Sequence, residues 1–236
     1  MNIDELSDPE LRKLIKSKKP TVIIPVGSIE QHGAHLPIST DSDIVTEIAS
    51  RLGKKCGFIV LPTISYGVSF EHKPLFNLSL PTGTLLQIVD KIMISLKENH
   101  IKEAIILNGH HGNLPILDRL NVIASVPQCA SLYPRISTLS YWHFLNHEFD
   151  HAGFVETSLM LAISNKVKMK KAKKGLVTNG LTDKEKRRIN KLSTEPGGFP
   201  KVTKNGVWGD PTGATKKDGQ RFLSEIVRNL AKECQS

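Results

Sequence analysis

The sequence predicts an α/β fold with three layers, in which helices cover both faces of a mostly parallel central sheet. Short apolar runs of strand length alternate along the chain with longer stretches whose apolar residues recur every three to four positions. This alternation is typical of parallel sheets, because each crossover between parallel strands runs through a helix. Polar segments rich in glycine and histidine follow two of the apolar runs, which is where ligands bind in such sheets.

Local signals predict the individual elements. Ser7 and Glu10 have the spacing of a capping box, which predicts the start of a short helix. The apolar run 21–25 predicts the first strand, and the segment 63–82, which contains glycine and proline, predicts a long loop. The other predicted elements are, in chain order, helix 43–52, strand 58–61, helix 84–99, strand 104–107, helix 114–124, strands 130–133 and 136–141, helix 154–163 and a helix from about 215.

Length and charge bound the domain organisation. The chain has 236 residues, of which 39% are apolar and 23% charged, and we predict a single domain over residues 1–236. The formal net charge of +9 is concentrated in residues 166–204, which hold 13 Lys and Arg against 3 Asp and Glu. This range is predicted to be a basic elaboration of the domain. Its densest part, 166–174, lacks interleaved aromatic residues, so a specific nucleic-acid partner is not expected, although a lysine run can attract an anionic substrate.

The composition also indicates the compartment. No apolar run approaches the roughly 20 residues that span a bilayer, so no membrane association is expected. The first five residues are acidic rather than basic, which does not fit a signal peptide. Cys56, Cys129 and Cys234 are widely spaced and form no C-x-x-C pair, so neither disulfides nor a thiolate metal site is indicated. A cytoplasmic protein is the simplest interpretation.

The polar segment after the first strand carries the strongest chemical signal. Glu30 and His32 are two residues apart, so in an extended segment both project to the same side. Asp41 follows a turn and could close a site from another direction. Mixed oxygen and nitrogen ligands suit zinc, manganese or iron(II), whereas the alternative is a polar loop whose histidines bond to the backbone. A second histidine-bearing loop, 108–113, follows the strand at 104–107 and would meet the first at one sheet edge, which favours the metal interpretation.

Three stretches together resemble the creatininase family of metal-dependent amidohydrolases. Their sequences are GSIEQHGAHLP at 27–37, followed by Asp41, NGHHGN at 108–113 and HAGFVETS at 151–158. The loop at 206–212 resembles a further family feature. These matches occur in family order over most of the chain, and they imply a creatininase-like three-layer fold.

The resemblance implies a centre of two divalent transition metals, with zinc, iron(II) and manganese as candidates. Glu30 and His110 would hold one metal and His32 the other, while Asp41 would bridge both. Glu156 would be a further ligand or, alternatively, a catalytic base. Two such cations can polarise an amide carbonyl and make a water nucleophilic near neutral pH.

The resemblance also implies residues on the substrate side. His151 matches a histidine that acts near the substrate as a proton donor or orienting group, and a structural histidine is the alternative. His111 would face a small-molecule substrate beside the metals. The resemblance further implies a homo-oligomer, with a hexamer as one expected form.

Two departures weaken an assignment as a creatinine hydrolase. Gly112 stands where those enzymes carry a metal-binding glutamate, and His147 and Glu148 stand in place of a tryptophan–aspartate pair. In having a glycine at position 112, the sequence is similar to the branch of the family that removes formate from a formylamino-pyrimidine ribonucleotide on the route to riboflavin and deazaflavin. We therefore predict a formamide hydrolase acting on a non-peptide C–N bond of an anionic nucleotide. The alternatives are a creatinine or other cyclic amide hydrolase, an enzyme that cleaves a modified peptide precursor, and a non-catalytic metal-binding protein of the same fold.

Overall fold

Four parallel strands form the central sheet, in the order β2-β1-β3-β4. The computed structural model describes residues 1–126, 131–148 and 150–234. Within these ranges the strands are β1 (Val22–Val26), β2 (Ile59–Val60), β3 (Glu103–Asn108) and β4 (Arg135–Ser140). Val26 pairs with Asn108, and Asn108 pairs with Ser140. The carboxyl ends of β1, β3 and β4 therefore lie at one edge of the sheet, and the loops that follow them begin side by side.

Helices cover both faces of this sheet. The α-helices of the described ranges are α1 (Asp8–Lys18), α2 (Thr40–Cys56), α3 (Thr82–Glu98), α4 (Leu114–Ser125), α5 (Phe154–Ile163), α6 (Asp183–Ser193), α7 (Phe199–Thr203) and α8 (Lys216–Glu233). Helices α2, α5 and α8 pack on one face, and α3 and α4 pack on the other. The α/β fold with three layers and a parallel sheet is thereby confirmed.

The strands divide their side chains between the two cores. Ile23, Ile105 and Leu107 belong to the core beneath α2, α5 and α8, whereas Ile24 and Ile106 belong to the core beneath α3 and α4. This division follows from the strand geometry, because successive side chains point to opposite faces. Both faces of β1 and β3 are buried, which explains why these two runs are largely apolar rather than alternating.

The structure differs from the predicted elements at two places. One strand, β4, replaces the two strands predicted at 130–133 and 136–141. Residues 131–133 form a turn before β4, and residue 130 lies outside the described residues. Helix α2 begins at Thr40, three residues earlier than predicted. Asp41 therefore lies in the first turn of a helix, where the helix dipole favours a negative charge.

The basic range 166–204 contains α6 and α7. Thr182 and Glu185 form a capping box that fixes the start of α6. Lys166 makes an exposed ion pair with Asp43 at 3.2 Å. No helix within the described ranges combines the length and the apolar character that crossing a bilayer requires. Cys56 and Cys234 are free thiols, and Cys129 lies outside the described residues.

Candidate metal centre and active site

Glu30 lies at the centre of the segment that follows β1. Its side chain is fully buried. Oε2 accepts a hydrogen bond from Ser28 Oγ at 2.9 Å, whereas Oε1 has no hydrogen-bond donor. Gly27 lets helix α2 approach this segment, because a Cβ at this position would lie 2.6 Å from the Ser42 Cα. A buried carboxylate oxygen without a donor is costly in a protein interior, and a bound cation would remove that cost.

His32 presents a free ring nitrogen to two carboxylates. Its Nδ1 lies 3.1 Å from the Glu30 main-chain carbonyl oxygen, which can only accept, so Nδ1 carries the proton of the neutral ring. Nε2 then faces Asp41 Oδ1 at 3.2 Å and Glu156 Oε2 at 3.6 Å. When the ring of His32 is neutral, its Nε2, Asp41 Oδ1 and Glu156 Oε2 are three acceptor atoms that converge. This is the arrangement of metal ligands that are oriented by an outer hydrogen bond.

His110 repeats this arrangement on the other side of Asp41. Its Nε2 lies 2.9 Å from the Val68 carbonyl oxygen and donates to it in the neutral ring. Its Nδ1 faces Asp41 Oδ2 at 3.1 Å, and this oxygen has no hydrogen-bond donor. Asp41 thus offers one carboxylate oxygen to His32 and the other to His110, which is the geometry that a bridging ligand requires.

The charges of this cluster are strongly coupled when no cation is bound. Burial favours the neutral form of His32, yet the carboxylates of Asp41, Glu156 and Glu30 outweigh burial and raise its pKa to about 10. Burial also raises the pKa of Asp41, but His32 and His110 outweigh it and lower that pKa. Burial and the charge of Asp41 raise the pKa of Glu156 to about 8. Protons therefore balance the buried carboxylates here, as divalent cations could do instead.

The structure brings the five predicted metal ligands together in two overlapping groups. Glu30, Asp41 and His110 form one group, and His32, Asp41 and Glu156 form the other; within each group the ligand atoms lie within 4.8 Å of one another. Glu156 is held by a hydrogen bond of 2.6 Å from the Ala152 main-chain N–H to its Oε2. The two groups share only Asp41, as the predicted bridging role requires.

His151 lies over this cluster and lines the adjoining cavity. Its ring centroid is 4.2 Å from that of His32 and 4.8 Å from that of Phe199, which α7 contributes. Burial, together with the nearby His32 and His72, holds the pKa of His151 well below its usual range. The ring is therefore neutral at neutral pH in this structure and able to accept a proton.

His111 lies at the rim of the same cavity. Its ring stacks on Trp142 with a centroid distance of 6.2 Å. Burial and the charge of His110 lower the pKa of His111. The position of His111 agrees with the predicted place beside the substrate, while its role stays a prediction.

Sequence reasoning missed Gln31, Glu71 and His72. Gln31 Oε1 accepts from the Gly33 main-chain N–H at 3.0 Å, so its Nε2 faces His72 Nδ1 at 2.9 Å and His151 Nε2 at 3.2 Å. Glu71 and His72 come from the loop 63–82 and form a further possible ligand group with Glu30. The unusual length of that loop was the one available signal, because long loops within compact domains are frequently functional.

A cavity of about 670 Å³ opens onto this cluster. Its lining joins the histidines and carboxylates to Phe199, Trp208 and one face of α6. Among the described residues that line it, Lys186 is the single lysine or arginine, and this side chain is half-buried. None of the lysines in 166–174 belongs to the lining. The cavity wall therefore carries a positively charged side chain, which belongs to α6 rather than to the lysine run 166–174.

Comparison with known proteins places this fold and cluster in one family. The model of the creatininase family, described as creatinine amidohydrolase, matches residues 4–234. The chain belongs to the creatininase family. Its members are metal-dependent amidohydrolases, so the predicted family and the prediction of a metal-dependent amidohydrolase are both confirmed.

Individual creatininase relatives differ in activity. The chain is 30% identical to the mycofactocin precursor peptide peptidase of Mycobacterium ulcerans, over 90% of this chain and 84% of that protein. It is 29% identical to the 2-amino-5-formylamino-6-ribosylaminopyrimidin-4(3H)-one 5'-monophosphate deformylase of Methanothermus fervidus, over 88% of this chain and 81% of that protein. A crystal structure of creatinine amidohydrolase shares the fold with a TM-score of 0.81 at 24% identity, covering 98% of this chain and 95% of that one. Solved creatininases include a manganese form and a zinc–zinc form.

Proposed function

We propose that this member of the creatininase family hydrolyses an amide C–N bond with two divalent cations bound between Glu30, His32, Asp41, His110 and Glu156. The unpartnered, buried oxygens Glu30 Oε1 and Asp41 Oδ2 carry this proposal. When bound, the cations would polarise the substrate carbonyl and provide a water nucleophile near neutral pH. The manganese and zinc forms of structural relatives support divalent cations, and the mixed ligands accept zinc, manganese and iron(II).

The residues above the centre would position the substrate and move a proton. His151 is neutral and lies between the cluster and the cavity, so it can take a proton and return it to the departing amine. Gln31 orients this ring through the contact between its Nε2 and His151 Nε2 at 3.2 Å. Phe199 and Trp208 line the cavity and give its wall apolar surface against which a substrate ring could pack.

The substrate that we favour is a formylamino-pyrimidine ribonucleotide, from which the enzyme would release formate. Lys186 supports an anionic substrate, because it is the single lysine or arginine among the described residues that line the cavity and its positive charge could pair with a phosphate. A volume of about 670 Å³ also suits a nucleotide-sized molecule better than a single small ring. The deformylase relative that aligns with 88% of the chain agrees with this choice.

Formate release from the ribonucleotide by metal-loaded protein tests the proposal. Lys186→Ala is expected to raise KM for the 5'-phosphorylated substrate about tenfold or more, since a charged hydrogen bond is worth roughly 1.5–3 kcal/mol. It should leave KM for the corresponding nucleoside unchanged. Lys184→Ala removes an exposed lysine from the same helix and is the matched control. Absence of formate release with every metal would refute the deformylase assignment.

Cleavage of a peptide precursor is the second candidate. The peptidase of Mycobacterium ulcerans aligns with 90% of the chain at 30% identity, and this match favours a peptide substrate. Mass spectrometry of a mycofactocin precursor peptide after incubation with the metal-loaded protein would detect a cleaved product. Creatinine turnover is tested in the same way, by measuring creatine. Less than one transition metal per chain after metal repletion would instead favour a non-catalytic protein.

The oligomeric state stays a prediction. Ile38, Phe76 and Leu78 are exposed apolar side chains. Their segments are joined through main-chain hydrogen bonds to residues 29–31. Exposed apolar side chains on adjoining segments are typical of interaction surfaces, which supports a homo-oligomer. Light scattering of the purified protein would measure the number of chains, and a monomer would refute this part of the proposal.

A further inference from the structure

Glu71 reaches the centre from a loop outside the three motifs. It lies in a short 3₁₀ turn, Phe70–His72, between β2 and α3. Its side chain is 13% exposed, and its Oε1 lies 3.5 Å from His110 Nε2 and 3.7 Å from His72 Nε2. The ligand atoms of Glu30, Glu71 and His72 lie within 4.8 Å of one another. The carboxylate of Glu71 therefore borders the Glu30 side of the centre.

The loop that carries Glu71 is held in place by hydrogen bonds from three directions. The Val68 main-chain N–H donates to Asn113 Oδ1 at 3.0 Å, which ties this loop to the second histidine loop. The Ser69 main-chain N–H donates to Ser79 Oγ at 2.8 Å. The Phe70 carbonyl oxygen accepts from the Gly197 main-chain N–H at 3.0 Å. These contacts fix the three residues of backbone that precede Glu71, so its carboxylate is presented to the centre by the fold.

Gly112 leaves the space that the Glu71 carboxylate fills. A Cβ at this position would lie 2.9 Å from Glu71 Oε1 and 2.5 Å from His110 Nε2, and it would overlap the Val68 carbonyl oxygen. Any side chain at 112 would therefore displace the loop at Val68 and compete with Glu71 for the same volume. A glycine at 112 and a carboxylate at 71 thus belong to one arrangement.

In its neutral form, the neighbouring His72 offers no lone pair to a cation beside Glu30. Gln31 Nε2 can only donate, so His72 Nδ1 accepts, and the proton of the neutral ring is on Nε2. This Nε2 lies 2.9 Å from Glu30 Oε1, although Oε1 lacks an aligned hydrogen-bond donor. The fully buried Oε1 is therefore an unpartnered acceptor on the side of the centre that Glu71 borders. The carboxylates of Glu30 and Glu71 are therefore close together here, and His72 presents no lone pair that would compete for a cation.

We propose that Glu71 is a further ligand of the cation held by Glu30 and His110. That cation would then have Glu30, Asp41, His110 and Glu71 around it, a set of four oxygen and nitrogen ligands that suits zinc or manganese. The fourth ligand comes from the loop between β2 and α3, and Gly112 gives it room. This inference rests on the divalent cations of the proposed function.

Metal binding by three variants tests the role of Glu71. Glu71→Gln removes the negative charge at constant size, and Glu71→Asp keeps the charge but shortens its reach. Glu148→Gln is the matched control, because Glu148 lines the same cavity but belongs to none of the ligand groups. Isothermal titration with Co²⁺ measures the affinity and number of sites, and the visible absorption of bound Co²⁺ reports its coordination. Thermal unfolding of each metal-free variant checks that it is folded.

We expect Glu71→Gln to weaken one of two binding steps at least about tenfold and to change the Co²⁺ spectrum, with a smaller loss in Glu71→Asp. Glu148→Gln should match the parent protein. A crystal structure with Zn²⁺ should show a Glu71 oxygen at about 2.0–2.2 Å from the metal. Two bound cations with an unchanged spectrum in Glu71→Gln, or a Glu71 oxygen beyond about 3 Å from both metals, would overturn the inference alone. A parent protein that binds no divalent cation would overturn the inference and the proposed function together.

Discussion

Replacing Asp41 with asparagine should remove both predicted metal sites at once. Asp41 directs Oδ1 to His32 at 3.2 Å and Oδ2 to His110 at 3.1 Å, and it is the one residue common to the two ligand groups. Asparagine keeps the shape of the side chain but loses its charge and one of its two acceptor oxygens. Each group would then retain two of its three predicted ligands.

The expected magnitude follows from binding linkage. A site that binds only the folded chain contributes about 2.7 kcal/mol to the free energy of unfolding when free metal is at 100 times its Kd. Two independent sites therefore contribute about 5.4 kcal/mol in the parent protein. Asp41→Asn should lose nearly all of this increment. Glu156→Gln, which alters one group only, should keep about half.

Urea unfolding with and without buffered free metal measures these increments. The metal-free free energy of unfolding of each variant is the reference, so that a general loss of stability is separated from the loss of metal binding. Asp43→Asn, a change at a half-buried neighbour in the same helix turn that pairs with Lys166, is expected to keep the full increment. The bridging role would be refuted if Asp41→Asn lost no more of the increment than Glu156→Gln.

Three further predictions concern other parts of the fold. Gly206 has φ +73°, and a Cβ there would overlap Gln31 Oε1, so Gly206→Ala should displace this amide and lower kcat for the proposed substrate at least about tenfold. Gly57 has the same φ of +73° with open space around it, so Gly57→Ala should keep kcat, and equal kcat in the two variants would contradict the clash. Leu223 in α8 is fully buried, so Leu223→Ala should lower the urea-derived free energy of unfolding by about 2–5 kcal/mol, and a loss under about 1 kcal/mol would contradict its place in the core. Burial, with Cys56 and Glu233, raises the pKa of Cys234 to about 11. Because the thiolate is the reactive form, alkylation of Cys234, measured by mass spectrometry, should be slow near neutral pH and accelerate as pH rises; rapid alkylation at neutral pH would contradict a raised pKa.

The sheet and the clustering of the five residues proposed as metal ligands could be predicted because their signals are local in sequence. An apolar run ends, and a polar loop with glycine and histidine begins, at β1 and again at β3. The parallel register then brings Val26 and Asn108 to one edge, which makes Glu30 and His110 neighbours without any further information. Helix α2 begins earlier than the sequence predicts, because Asp41 after Pro37 fits a ligand in a loop, whereas the helix dipole accommodates the same carboxylate in a first turn.

Glu71, His72 and Gln31 could not be found in this way, because their roles depend on contacts across the fold. The loop 63–82 has no periodicity, and a Glu-His pair within it has many ordinary explanations. The turn at 131–133 illustrates the same limit: the run 130–133 has the composition of a strand. Tyr133 instead packs in the core beneath α3 and α4, and its hydroxyl donates to Asp90 at 2.5 Å. Tertiary packing, rather than local propensity, determines the conformation of such segments.

The buried cluster explains why metal binding and folding should be linked in this protein. The four carboxylates and four histidines of the possible ligand groups are expensive to remove from water unless opposite charge accompanies them. The main-chain carbonyl oxygens of Glu30 and Val68 fix which ring nitrogen of His32 and of His110 keeps its proton when a cation binds. The other ring nitrogens face Asp41, and in the metal-free chain they carry the protons that offset the charge of Asp41. A divalent cation entering between them would find its ligands already oriented, and it would release the protons that otherwise hold the cluster together.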